Sequence, residues 1–289
     1  MSNGALVAFV TYRGLPDLSP DDRPAAAALD ALGLRTDAVC WDDPAVDWLA
    51  YGAVVLRSTW DYHHRVAEFL AWIDRMETLG ARLWNPAAVL RWNSNKRYLA
   101  RLSHPELMPP PTEIIERGSA VSLAALLKER GWDEAVVKPA ISADGFSTER
   151  TSRARAASDQ ELLDTMLARG DVVMQRFVPE IATSGEISLM FFGGAFSHAV
   201  AKRPKAGEFR VQERLGGRIS RTDPPPALVA HARELLAIHA PGCLYGRVDV
   251  VSVAGRFVLM EVEVLEPSLY FEHDAASPRA FALAIQRIA

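Results

Sequence analysis

The sequence predicts an α/β fold in its first part, followed after Trp92 by smaller α+β subdomains. Strand-length apolar segments alternate with amphipathic helices before that point, which is the order that builds a parallel sheet. After Trp92, patterns typical of β-hairpins with glycine turns replace this alternation of strands and helices. Six of the seven tryptophans lie at or before Trp92, so the first unit is expected to have its own core.

The first unit is predicted to contain a parallel sheet covered by helices. One helix follows the first strand, with Ser19 or Asp21 as its cap and Gly33 at its end. A second helix is expected over 66–80, with large apolar side chains on one face. The strands are predicted at three segments: 5–12, 35–41 and 53–58.

The later elements are predicted to be antiparallel strands and short helices. Asn93 or Ser94 is expected to cap a helix over 93–102, and Ser277 the C-terminal helix, with Pro278 in its first turn. Further helices are expected at 122–131, 158–170 and 225–239. Strands are expected at the end of the Pro-rich stretch 105–115, at 134–140 and 171–181, and in hairpins at 186–204 and 243–264. The predicted domains are 1–91, 92–177 and 178–289.

The composition limits the class of protein. The chain has 289 residues, 49% of them hydrophobic and 24% charged, as in an ordinary globular protein. The net charge of −4 gives no reason to expect nucleic acid or a membrane as partner. We find no apolar run of ~18 residues and no secretory signal pattern. Two cysteines without metal-site spacing fit free thiols, and we expect a cytoplasmic protein.

Acidic residues are concentrated on the last predicted hairpin. Glu261 and Glu263 share one face of their strand, and a turn at 254–255 would bring Asp249 beside them. Three carboxylates on one face repel one another unless a cation lies between them, and hard oxygen ligands suit Mg²⁺. The alternative is a solvated face whose acids pair with Arg247 and Arg256.

A lysine closes the apolar strand before a loop of small and hydroxyl residues. Lys138 together with the loop 141–151 has the character of a phosphate cradle, with backbone N–H groups and a positive charge. An edge lysine is the alternative, and Lys96 alone would be a surface lysine. Neither the P-loop motif nor the dinucleotide-binding glycine motif is present.

Two further segments are candidate ligand contacts. Gln175, Arg176, Phe177 and Val178 leave an apolar strand whose backbone could read the edge of an adenine, with Glu180 or Glu186 reaching ribose hydroxyls. The segment 57–65 follows the third strand, where open parallel sheets bind ligands. This makes four residues substrate-site candidates: Arg57, Ser58, Thr59 and Asp61. His63 and His64 are expected to cap a helix or face solvent, with a role as bases as the alternative, and the role of Glu266 is left open.

In their order and spacing, these groups resemble the ATP-grasp superfamily. The matching features are Lys96, then "VVKPAISADGFS", "VMQRFVPEIATSGE" and "RVDVVSVAGRFVLMEVE", over residues 93–264. The family usually has Asn where this chain has Glu263. The chain is most similar to the prokaryotic glutathione-synthetase-like branch that includes a cyclo-ligase closing O-ureido-serine to D-cycloserine. "WDDPAVDW", "RSTWDYHHR", "FSHAVAKRPKAGEFRVQERLGG" and "EVEVLEPSLYF" carry that similarity.

The resemblance implies an ATP-grasp fold behind an N-terminal pre-ATP-grasp domain, and an ATP-dependent, ADP-forming ligase for a small amino-acid-derived substrate. Asp249, Glu261 and Glu263 would hold one or two Mg²⁺ ions, for which Mn²⁺ can substitute. Lys96 and Lys138 would contact phosphates, covered by the loop 142–148 with Ser142, Gly145 and Ser147. Arg203 and Arg210, in the cationic segment 202–217, would act with Lys138 on the transferring phosphoryl group or a substrate carboxylate. The alternative for this segment is a disordered basic loop without specific contacts. The other substrate contacts would be Lys202, Gln212, Gly216 and Gly217.

Two other functions share these nucleotide residues. The first is a phosphotransferase acting on a small hydroxyl substrate, and the second is a nucleotide-binding protein without turnover. A homodimer is also consistent with the family.

Overall fold

Three sheets follow one another along the chain in this computed structural model, which describes residues 5–143, 145–205, 207–211 and 215–289. The first sheet is parallel, in the order β2-β1-β3-β4. It confirms the predicted α/β class of the N-terminal region. Its strands are β1 (Leu6–Thr11), β2 (Arg35–Cys40), β3 (Ala53–Leu56) and β4 (Leu83–Trp84).

Two helices cover this sheet, and the cap of the first differs from the prediction. Helix α1 (Arg23–Asp30) begins after Asp22 and not at Ser19 or Asp21. The Asp21 carboxylate is occupied elsewhere, because it accepts the backbone N–H groups of Leu269 and Phe271 at 2.7 and 2.9 Å. Helix α2 (Val66–Leu79) buries the predicted apolar face of Phe69, Trp72, Ile73 and Met76.

The predicted helix over 93–102 is wrong. Helix α3 (Ala87–Asn93) ends where that helix was expected to begin, and a 3₁₀ helix (Lys96–Ala100) capped by Asn95 follows. The Lys96 N–H donates to the Ala140 carbonyl at 2.7 Å. This hydrogen bond to a distant part of the chain takes the Lys96 N–H out of the helical pattern, so the expected helix is interrupted.

The second sheet is antiparallel, in the order β5-β8-β6-β7. Its strand β7 was expected to be a polar turn, because Glu149, Arg150, Thr151 and Ser152 carry no apolar pattern. Two helices follow the predicted pattern, α4 (Leu123–Glu129) and α5 (Gln160–Arg169). The strands are β5 (Thr112–Ile115), β6 (Glu134–Pro139), β7 (Glu149–Ser152) and β8 (Val172–Arg176).

The third sheet contains both predicted hairpins, in the antiparallel order β11-β10-β9-β12-β13. Its edge strand β11 follows the segment 202–217 and was not predicted. The strands are β9 (Glu186–Phe192), β10 (Ala195–Arg203), β11 (Arg218–Thr222), β12 (Tyr245–Val253) and β13 (Arg256–Glu263). A one-turn helix α6 (Glu180–Thr183) precedes this sheet, and α7 (Pro226–His239) packs on it.

The last helix, α8 (Ser277–Gln286), returns to the first sheet. Phe281 and Ile285 share a buried core with Val7, Phe9 and Leu29 of the N-terminal region. Ala276 is the N-cap in place of the predicted Ser277, whose hydroxyl donates to the Asp274 carbonyl at 2.7 Å. Among the described residues, no helix combines the length and apolar character that crossing a membrane requires. The domain boundaries remain predictions.

Candidate active site

A cavity of about 730 Å³ is lined by residues that belong to, or directly follow, strands of all three sheets. Side chains from every part of the fold line it, so the predicted candidates meet although they are distant in sequence. The predicted residues on its wall are Lys96, Lys138, Ser142, Gly145, Gln175, Arg176, Phe177, Val178, Glu186, Lys202, Arg210, Asp249, Glu261 and Glu263.

The register of the last hairpin aligns its acids. Asp249 lies opposite Glu261 and Arg247 opposite Glu263, whereas Val250 pairs with Leu259. Met260 is therefore the extra residue of a β-bulge. Without it, Asp249 would face Met260, and the acids of the two strands would point to opposite faces.

Glu261 lies between two lysines from other elements. Lys138 Nζ is 2.9 Å from Glu261 Oε1, and Lys96 Nζ is 3.6 Å from the same oxygen. Burial opposes ionisation of Glu261, but the two lysines outweigh it and hold the pKa of this carboxyl well below its usual value. The lysines and the acid therefore form one charged cluster at the end of β6.

Asp249 is held by a second group of partners. Ser188 Oγ donates to its Oδ1 at 2.6 Å, Arg247 Nε at 3.0 Å, and Lys202 Nζ lies 3.3 Å from Oδ2. These partners outweigh burial and lower the pKa of Asp249. Arg247 also contacts Glu263. The predicted pairing with Arg247 is thus present, but inside the cavity, whereas Arg256 is exposed at the turn.

The donor set fits a divalent cation. Burial raises the pKa of Glu263 to about 8, and Asp249 and Glu261 add to the effect against Arg247. Burial likewise raises the pKa of Glu186, which contacts Lys202, to about 7. Burial disfavours the ionised form of both carboxylates, and the cations beside them do not fully offset it. Mg²⁺ would supply the missing charge, and carboxylate oxygens are its usual ligands.

The loop after β6 closes one side of the cavity. Gly145 has a φ of 66°, a conformation that glycine adopts without strain. The Ser142 hydroxyl donates to the Pro139 carbonyl at 3.3 Å, and Ser147 lies outside the cavity lining. Phe146 projects from this loop with 42% of its surface exposed and contacts the imidazoles of His63 and His64.

The segment expected to read an adenine is not at a sheet edge. Strand β8 lies between β5 and β6, so the N–H groups of Arg176 and Phe177 already donate to the carbonyls of Pro111 and Glu134. Val178 lies beyond the strand and lines the cavity. Glu186 lines the cavity as well, whereas Glu180 lies on α6 outside its lining.

The substrate candidates after β3 do not reach the cavity. Arg57 is 2% exposed, and its Nε lies 2.7 Å from Asp22 Oδ1. A buried guanidinium requires such a counter-charge, so Arg57 is held by Asp22. Ser58 and Thr59 are also buried, and Asp61 accepts the indole N–H of Trp41 at 2.9 Å. The neighbouring side chains that line the cavity are those of Trp60, Tyr62, His63 and His64.

The segment 202–217 is divided between the cavity and its exterior. Lys202 and Arg210 line the cavity, and Arg210 Nη2 lies 2.8 Å from Glu208. Arg203 and Gly216 are exposed and, with Gly217, lie outside the lining. Gln212 falls outside the described residues.

Sequence reasoning missed residues that build the site. Arg247 was considered only as a neutralising partner, although its position two residues before Asp249 on β12 places both on one face. Asn93 was expected to cap a helix, but its side chain contacts the backbone of β13 and the segment after it. It donates to the Val262 carbonyl at 2.7 Å and accepts the Val264 N–H at 2.9 Å. Nothing local in the sequence signals this contact.

Known proteins match this chain along most of its length. The family model for the ATP-grasp domain of prokaryotic glutathione synthetase matches residues 97–275. The model for the N-terminal domain of D-cycloserine synthetase DcsG matches residues 7–85. The cycloserine biosynthesis protein DcsG of Streptomyces lavendulae is 32% identical over 296 residues, covering 96% of this chain and 98% of that protein. The glutathione synthetase of Parasynechococcus marenigrum (strain WH8102) is 30% identical over 200 residues, covering 68% of this chain and 61% of that protein.

Solved structures of ATP-grasp proteins are similar to this chain as well. The crystal structure of D-cycloserine synthetase DcsG matches with a TM-score of 0.87 at 30% identity, covering 98% of this chain and 100% of that one. D-alanine–D-alanine ligase from Bacillus anthracis complexed with ATP matches with a TM-score of 0.67 at 16% identity, covering 99% and 96%. At that identity the second match supports the fold alone. The matched families, together with a relative aligned along nearly its whole length, show that this chain belongs to the ATP-grasp family of ATP-dependent ligases.

Proposed function

We propose that this enzyme activates the carboxylate of a small amino-acid derivative as an acyl phosphate and then joins it to a nitrogen of the same molecule, closing a ring. O-ureido-serine is the proposed substrate. The observation that carries the proposal is the meeting, on one cavity, of the charged hairpin with the aromatic wall of the N-terminal domain. The similarity to DcsG along the whole chain supports it.

The charged wall is suited to phosphoryl transfer. Asp249, Glu261 and Glu263 would hold one or two Mg²⁺ ions, which neutralise charge on the transferring phosphoryl group when bound. Lys96 and Lys138, which both face Glu261, would contact the phosphates. Mn²⁺ is expected to replace Mg²⁺, since both take oxygen ligands.

The opposite wall is suited to a small substrate. Trp60 and Tyr62 contribute aromatic surface, and the indole N–H of Trp60 donates to the Glu266 carbonyl at 3.3 Å. The Glu266 carboxylate also lines the cavity, and burial raises its pKa against the effect of Lys96. A substrate ammonium group would give this acid the partner that it needs. The enclosed position also limits hydrolysis of an acyl phosphate by water.

The direct test is ADP release with product analysis. The enzyme is incubated with ATP, Mg²⁺ and O-ureido-serine, or with free amino acids and dipeptides in parallel. Release of ADP together with a cyclised product supports the proposal. A phosphorylated substrate without a new C–N bond would identify a phosphotransferase, and ADP release with dipeptide precursors alone would indicate intermolecular ligation. The absence of turnover with every compound would favour a binding protein. The homodimer, the cytoplasmic location and the lack of nucleic-acid or membrane partners remain predictions.

A further inference from the structure

His63 lies on the N-terminal wall of the cavity, in the 3₁₀ helix Tyr62–His64. Its ring centroid is 3.9 Å from that of His64 and 5.2 Å from that of Phe146, which belongs to the loop after β6. Both ring nitrogens are shielded from solvent, and neither has a hydrogen-bond partner of good geometry among the residues that the structure describes. The imidazole therefore lies at the cavity with unused polar atoms.

The surroundings of His63 favour its neutral form. Burial lowers the pKa of the imidazole, and the neighbouring His64 and the ammonium group of Lys96 act in the same direction. The backbone of Trp60 and the carboxylate of Asp61 raise this pKa, with effects smaller than those of burial and His64 but larger than that of Lys96. A neutral imidazole has one nitrogen with a free lone pair, which can accept a proton.

The proposed ring closure requires such a group. The attacking ureido nitrogen carries a hydrogen, and its C–N bond forms while the C–O bond to the phosphate breaks. The phosphate leaves with that electron pair, so the proton on the nitrogen must pass to a base. A neutral base inside the site can take it without first giving up a proton of its own.

Other described groups on the cavity wall are less suited to this step. The carboxylates of Glu186, Asp249, Glu261 and Glu263 each contact a lysine or arginine. The phenols of Tyr62 and Tyr98 keep their protons, because burial raises their pKa values well above the usual range. Glu266 is influenced by Lys96 and fits a substrate ammonium group. His64 is exposed.

On the basis of the proposed function, we propose that His63 is the catalytic residue that accepts the proton of the attacking nitrogen, and that Phe146 shields it from water. Substrate would reach the imidazole by a small displacement of Phe146, which lies on the loop that contains Gly145.

Hydroxylamine separates this step from the preceding one. It is a strong neutral nucleophile, so it traps an acyl phosphate as a hydroxamate without help from an enzymic base. The variant H63N is compared with the native enzyme and with H231N, a control on α7 whose imidazole lies outside the cavity lining. Each is given ATP, Mg²⁺ and O-ureido-serine, with and without hydroxylamine, and both the cyclised product and the hydroxamate are measured.

We expect H63N to form the cyclised product about 100-fold more slowly or worse, which is a typical contribution of a general base. Its ATP-dependent hydroxamate formation should stay close to that of the native enzyme, which also shows that the variant folds. H231N should retain both reactions. Undiminished ring closure in H63N would overturn the inference, and so would equal loss of both reactions, because His63 would then act before the acyl phosphate. If the native enzyme forms neither hydroxamate nor cyclised product, the proposed function itself fails.

Discussion

Asp249 and Glu261 lie directly opposite each other on β12 and β13, although regular pairing from the turn would place Asp249 opposite Met260. The bulge at Met260 creates this relationship. It also places Arg247 and Glu263 on the same face, so four charged side chains point into one cavity. The candidate metal site therefore depends on one irregular residue in an otherwise regular hairpin.

The two central acids are expected to be needed for Mg²⁺-dependent turnover. D249N and E261Q each remove a charged oxygen ligand, and we expect kcat/KM for ATP to fall by about 100-fold or more, since a group that stabilises the transferring phosphoryl charge contributes this much. E272Q, an exposed acid on the C-terminal segment, is the control. Isothermal titration calorimetry with Mg²⁺ and ADP should show weaker binding to D249N and E261Q than to E272Q. Unchanged turnover and binding in both variants would remove these acids from the metal site.

Lys138 is expected to serve ATP binding. Charge-assisted hydrogen bonds contribute about 1.5–3 kcal/mol, so K138A should raise the KM for ATP roughly 10- to 100-fold. K128A, on the exposed surface of α4, should leave KM unchanged. Steady-state kinetics with varied ATP checks this expectation. A KM in K138A equal to that in K128A would show that Lys138 does not contact the phosphates.

Mg²⁺ binding is expected to release protons near neutral pH. The raised pKa of Glu263, about 8, means that the metal-free protein holds a proton there which Mg²⁺ must displace, and Glu186, beside Lys202, has a pKa raised to about 7. Mg²⁺ affinity should therefore weaken as the pH falls through this range. In the metal-free enzyme, the same shifts make stability decrease as the pH rises from about 4.5, the ordinary Glu pKa, to about 8.

The measurement is titration of Mg²⁺ and ADP in two buffers of different ionisation enthalpy, which counts the protons released. E263N, which introduces the residue that the family usually has at this position, should release fewer protons and still turn over. Proton release that is the same in E263N and the native enzyme would assign the proton to another group.

Asn93 is expected to position β13. N93A removes hydrogen bonds to the backbone of Val262, Val264 and Leu265, each worth about 1 kcal/mol. We expect a loss of about 2–3 kcal/mol in the free energy of unfolding and a raised Mg²⁺ requirement. N95A is the matched control, because its side chain accepts the Arg97 N–H within its own 3₁₀ helix. Equal stability and Mg²⁺ dependence of the two variants would contradict the positioning role.

The pair Arg57–Asp22 is expected to stabilise the fold and not to bind substrate. D22N leaves a buried guanidinium without its closest counter-charge, which costs about 3–5 kcal/mol. D30N, exposed at the end of the same helix, should change little. Urea denaturation with an unchanged slope would report the difference as a shift of the midpoint. A midpoint in D22N as high as in D30N would leave Arg57 available for a ligand.

The sequence by itself determined the order of the elements and the identity of the charged residues. The alternation of apolar strand segments with amphipathic helices predicted the parallel sheet, and glycine turns predicted both hairpins. These signals arise from residues that are neighbours in the sequence. The period of two along a strand also placed Glu261 and Glu263 on one face. Their order and spacing, with Lys96 and Lys138, indicated the family.

Tertiary structure decided which of these residues meet. The bulge at Met260, the burial of Arg57 against Asp22 and the central position of β8 depend on partners far away in the chain. His63 also acquires its environment from Lys96 and Phe146, which come from other parts of the chain. Local sequence cannot encode such contacts, because strand register and side-chain burial are settled only when separate elements pack together.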